Sequence, residues 1–236
     1  MRKHLRPVLL GIGTLMALTT ACGNSSTTEA PSSSAAAPAP QTSVSAPFPE
    51  SARYMADMAA ADGKTMTIGI SVDGSEVAAY ACNGVDDEAW FFGRQTDGDI
   101  DLKSRFRDTL AADFDGADVI GEVTMNGVEY SFTAEPVSGV AGMYTAESAG
   151  VRASWVVRPD RTATGVQFSG FAEGDRTFDP FNLDEFSDFD VRNNVRNKRN
   201  LTPAGPIEFG PDGTPHASIN GVGVTPTLVT GTFRLN

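Results

Sequence analysis

Met66, Ile68, Ile70 and Val72 alternate with Thr67, Gly69 and Ser71 until Asp73-Gly74 interrupts them. The alternation resumes in Val77, Ala79 and Ala81, stops at Asn83-Gly84, and returns in Trp90 and Phe92. Period-2 patterning cut by Asp-Gly and Asn-Gly signals β-hairpins, because both residue types tolerate φ > 0 in tight turns. The stretch 66–92 therefore predicts a three-stranded meander around which the core forms. A two-residue turn at Asp73-Gly74 sets Ile70 opposite Val77, Ile68 opposite Ala79 and Met66 opposite Ala81, all on one face. If Asn83-Gly84 is also a two-residue turn, Trp90 faces Val77; otherwise Val85-Asp86-Asp87 lengthens the loop.

A second hairpin repeats the logic. Val119, Gly121, Val123 and Met125 lead into Asn126-Gly127, and Val128, Tyr130, Phe132 and Ala134 lead out. This register pairs Val123 with Tyr130 and Gly121 with Phe132, where a ring covers the bare glycine backbone. Ile100 and Leu102 after Asp97-Gly98, and residues 110–114 before Asp115-Gly116, suggest further strands. So do residues 143–146, 151–157 and 162–168. Roughly nine short strands at turn spacings of about 8 to 12 residues predict an all-β domain over 64–170, an antiparallel meander forming a small barrel or sandwich.

The flanks read differently. Residues 50–62 are rich in Ala and Met, with Pro49 before and Gly63 after, which frames a short N-terminal helix packed through Tyr54, Met55, Met58 and Ala59. Residues 171–236 read as a C-terminal extension packing on the β domain. Within it, residues 178–190 are acidic and aromatic, and Arg192, Arg196, Lys198 and Arg199 follow. Acid first and base last suits a C-terminal helix opened by Asn182 and Glu185. The alternative is a partner-binding segment with aromatic anchors. Residues 225–235 read as a strand that starts at a sheet edge, where Pro226 is tolerated.

The N-terminus changes the picture most. Arg2, Lys3 and Arg6 precede an apolar run over 8–18, and Thr19-Thr20-Ala21-Cys22 closes it. This predicts a secretory signal peptide over 1–21, too short to span a membrane comfortably. A cysteine directly after small residues resembles the lipobox of bacterial lipoproteins, with Thr19 where Leu is usual. That resemblance implies a diacylglycerylated Cys22 as the mature N-terminus and a palmitate-type anchor in the cell membrane. Residues 22–49 are Ser, Thr, Ala and Pro with little to bury, so they form an extended, lipid-anchored stalk. Its composition suits O-glycosylation or a plain spacer equally; Asn24-Ser25-Ser26 matches an N-glycosylation sequon that carries little weight beside a bacterial lipobox.

Thirty Asp and Glu against eighteen Lys and Arg give a net charge of -12, and the predicted cleavage removes three cations. Such a surface argues against nucleic acid as a partner.

Several short motifs carry a further resemblance. Ala79-Tyr80-Ala81-Cys82-Asn83-Gly84, then Glu88-Ala89-Trp90-Phe91 with Gly93, Ala141-Gly142-Met143-Tyr144, and Trp155-Val156-Val157-Arg158-Pro159-Asp160 look like signatures of a family of secreted and lipid-anchored actinobacterial envelope proteins of unknown function. The similarity covers about residues 64–170. It implies an extracytoplasmic address and a β fold, and supplies no catalytic residue.

The rest of the sequence adds little chemistry. His216 is the one histidine after the signal segment, placed in a loop after Pro211-Asp212-Gly213, and no Gly-x-Ser-x-Gly elbow accompanies it. Cys82 adjoins a turn and reads as a buried structural thiol. The acidic runs 97–101 and 113–118 lack the spacing of an EF-hand loop. No catalytic, cofactor or metal site is expected. The sequence thus points to a noncatalytic envelope lipoprotein, partnered with the membrane through acylated Cys22 and with an envelope protein or a lipid-like ligand. A carrier or sensor that holds a lipid-like molecule in a hollow barrel is the alternative, and a hydrolase the third reading.

Overall fold

The alternation becomes a closed ring of eight antiparallel strands. The computed structural model describes residues 47–171 and 198–235, and their regular structure is all strand. The ring comprises β1 (Ser51–Ala59), β2 (Thr65–Asp73), β3 (Glu76–Cys82), β4 (Glu88–Thr96), β5 (Asp99–Lys103), β6 (Thr109–Phe114), β7 (Val119–Met125) and β8 (Val128–Pro136). Pairing of Tyr54 with Pro136 closes it. Of barrel and sandwich, the first half of the chain builds the barrel.

The helix expected over 50–62 is not formed; the segment is strand β1, paired with β2 from Ser51↔Asp73 to Ala59↔Thr65. Helix propensity loses to tertiary context here. Tyr54, Ala56 and Met58 also alternate, all three enter the barrel core, and β1 covers edges of β2 and β8 that would otherwise lie open. The signal peptide, most of the stalk and the C-terminal helix expected from residues 182 onward lie outside the described residues.

Turn geometry decides each register. Asn126 and Gly127 both have positive φ, 50° and 76°, and the pairs Val123↔Tyr130 and Gly121↔Phe132 form as the two-residue turn requires. At the first hairpin Gly74 takes the first central turn position, with φ 58°, and Ser75 the second, so Asp73 pairs with Glu76. The expected pairs slide by two residues, to Ile70↔Ala79 and Ile68↔Ala81. An even slip keeps every side chain on its face.

Side chains fill the barrel. Ile68, Ile70, Val72, Val77, Ala79, Ala81, Phe91, Leu110, Val119, Val123 and Ala134 belong to one cluster and have no accessible surface. A void of ligand size beside them would leave surface that water could reach, and eight strands enclose a space that side chains can fill.

A second sheet covers the outside of β2 and β3. Its strands are β9 (Gly142–Ser148), β10 (Val151–Val157), β11 (Ala163–Phe171), β12 (Arg199–Pro203) and β16 (Thr227–Leu228), in the order β12-β11-β10-β9-β16. Residues 225–235 thus give a strand of only two residues at the sheet edge. The chain then runs back to the barrel, where Gly231 N–H donates to Asp73 Oδ2 at 2.7 Å. Gly69 lets the layers meet, because a Cβ there would lie 2.4 Å from Met143 Cγ. Thr67 and Ser71, polar members of the alternation, are buried beneath this sheet, and Ser71 donates to the Val229 carbonyl at 2.9 Å. A small sheet of β13 (Glu208–Phe209), β14 (Pro215–Ile219) and β15 (Val222–Val224) contributes Ile219, which packs in one cluster with Trp155 and Ile207.

Candidate binding pocket between the barrel and the second sheet

The loop after β3 determines where the site lies. Asn83 Oδ1 accepts the N–H groups of Val85, Asp86 and Asp87 at 2.8, 3.0 and 3.0 Å, making a five-residue connection of what could have been a two-residue turn. Pairing therefore starts at Cys82↔Glu88, and Trp90 stands opposite Tyr80 rather than Val77. The slip of three residues is odd, so it reverses the faces of β4. Ala89 and Phe91 enter the barrel core, while Glu88, Trp90 and Phe92 point outward.

The second sheet supplies the opposite wall. Arg152 and Phe168 are cross-strand partners on β10 and β11, with the guanidinium 5.0 Å from the ring centre. Arg199 of β12 lies 4.6 Å over Phe106, which sits between β5 and β6. Phe171 meets Phe106 and Phe168 edge-on, at 6.2 and 5.4 Å. With Leu235 and the exposed rim cations Lys103 and Arg105, these residues line a cavity of about 360 Å³. That is within the range of small-molecule sites.

Its floor is electrostatically costly. Glu88 is 2% exposed. Arg152 Nη2 donates to Glu88 Oε1, and Arg199 donates to the Glu88 carbonyl and, at 3.2 Å, to Asp87 Oδ1. Burial pushes the Glu88 carboxyl above its ordinary pKa, against the opposing pull of Arg152 and Arg199. The Tyr80 hydroxyl also helps to hold Glu88 charged, and two buried nitrogens here, Trp90 Nε1 and Arg152 Nε, have no hydrogen-bond partner. Leaving a buried polar atom unmatched costs about 1–3 kcal/mol, and neither nitrogen presents surface to the cavity.

The other candidates assemble nothing comparable. Cys82 is fully buried, and burial pushes its thiol up to about 12. His216 is exposed on β14 opposite Glu208, in a strand rather than the expected loop. Asp99 and Asp113 face each other across β5 and β6, and the hydrogen bond between them holds the Asp99 pKa up. They line an open hollow of about 820 Å³ on the outer barrel wall, larger than the aromatic pocket but without an unmatched buried polar atom. Among the described residues no group of three or more His, Cys, Asp or Glu side chains is placed to hold a metal. Cys22 lies outside the described residues.

Sequence reading missed the pocket. Glu88, Trp90 and Phe92 do show the i, i+2, i+4 spacing of one strand face, which was the available signal. Their partners come from residues 103–106, 152, 168–171, 199 and 235, and no local pattern joins those. No family model, curated protein or solved structure shows significant similarity to the chain.

Proposed function

We propose that this chain is a noncatalytic cell-envelope lipoprotein, a binding module tethered outside the membrane by acylated Cys22 and the stalk over 22–49. The barrel is its scaffold, and the pocket on the outside of β4 is its contact with a ligand or with a side chain of an envelope partner. The cavity of about 360 Å³ walled by Trp90, Phe92, Phe106 and Phe168, with the exposed cations Lys103 and Arg105 on its rim, carries this reading. The lack of accessible surface on Ile68, Ile70, Val77 and Val123 weighs against a carrier that stores its ligand inside the barrel.

Two measurements test the proposal. Cys22→Ala is expected to move the protein out of the membrane fraction, and a variant still wholly in that fraction refutes the tether. Native mass spectrometry of the lipoprotein from its own host is expected to show a noncovalent adduct that a Phe92→Ala/Phe168→Ala variant lacks. An adduct retained in that variant would place the ligand elsewhere, the barrel interior included.

A further inference from the structure

Resting on the reading of the pocket as a ligand site, we infer that its ligand is a small amphipathic anion, a carboxylate or phosphate head on an apolar body. Charge carries the assignment. Lys103, Arg105, Arg152 and Arg199 line the cavity. Glu88 and Asp87 pair with Arg152 and Arg199, which leaves the exposed rim cations Lys103 and Arg105 as a positive surplus in a chain whose net charge is -12. A cationic ligand would be repelled, and a neutral one would leave the surplus positive charge unanswered.

The walls select the body. Trp90, Phe92, Phe106 and Phe168 line the same cavity, and an aromatic lining suits an aryl or acyl body, not a sugar or a hydrated ion. Such a head and body could belong to a free organic acid or to an anionic lipid.

The test is isothermal titration of the full lipoprotein in phosphatidylcholine nanodiscs, with empty discs as blanks. The probes are 4-phenylbutanoate, 4-phenylbutyl phosphate and neutral 4-phenylbutanol. The anions are expected to bind at least tenfold more tightly than the alcohol. The surface variant Lys103→Ser/Arg105→Ser should weaken the anions severalfold and leave the alcohol unchanged. Equal affinity for acid and alcohol would overturn the anion assignment while preserving the pocket as a site. Absence of saturable binding by all three would overturn both. Repeating the phenylbutanoate titration in discs containing phosphatidylglycerol separates the sources: reduced binding there indicates a lipid occupant, and unchanged binding a free acid.

Discussion

Glu88 is a carboxylate kept where it weakens the fold. Burial raises its pKa, so the protonated form favours the native state. That contribution is complete below the unfolded value of about 4.3 and is lost as pH rises through the raised folded value. Glu88→Gln imitates the protonated form. The variant is expected to be at least as stable as the natural chain at pH 7 and to converge with it near pH 4, as read from urea midpoints between those values. A loss of more than about 1 kcal/mol at pH 7 would show that the Arg152 contact outweighs desolvation. Sequence alone does not expose this role, because an acidic residue beside a turn looks solvated. Cys82 was more legible, lying next to a turn with no histidine near it. With its thiol near 12, a disulfide reagent at pH 8 should label native protein at least ~100-fold more slowly than protein in denaturant.

At the scale of elements, hairpins were legible where two residues alone determine the turn. Asn126-Gly127 leaves no slack between Met125 and Val128, and its register is the expected one. Gly74 can serve either central position of a tight turn, and the structure uses the first. Asn83 defeats pattern reading for a different reason: its side-chain oxygen substitutes for a backbone acceptor at three N–H groups, which only geometry reveals. Asn83→Ala is therefore expected to cost about 1–2 kcal/mol in urea unfolding, since no neighbouring side chain replaces that acceptor. If the loop instead shortened to two residues, β4 would reverse its faces. Trp90 would then enter the barrel, and anion binding at the pocket would vanish with little change in far-UV circular dichroism.

At the scale of the whole molecule, the pocket exists because two layers meet, and Arg158 fastens them. From the end of β10 it donates to Asp57 Oδ2 on β1 at 2.9 Å, to Thr67 on β2 at 3.0 Å and to Thr164 on β11 at 2.9 Å. The sequence showed Arg158 only as part of a Trp-Val-Val-Arg-Pro-Asp motif, since its carboxylate lies about a hundred residues earlier in a segment that reads as helix. The Arg158 hydrogen bond lowers the Asp57 pKa. The sign is opposite to that of Glu88: the stabilisation is present above the unfolded value of about 3.9 and is lost as pH falls through the lowered folded one. Because the Asp57 side chain is 58% exposed, solvent screens the pair, and its worth is at most about 1 kcal/mol. Arg158→Met should therefore lower stability by about that amount at pH 7, and the difference should shrink as the pH falls below 3. A penalty that stays constant with pH would mean that Arg158 acts through the threonine contacts and packing alone. The seam at Arg158 would then be held by neutral groups.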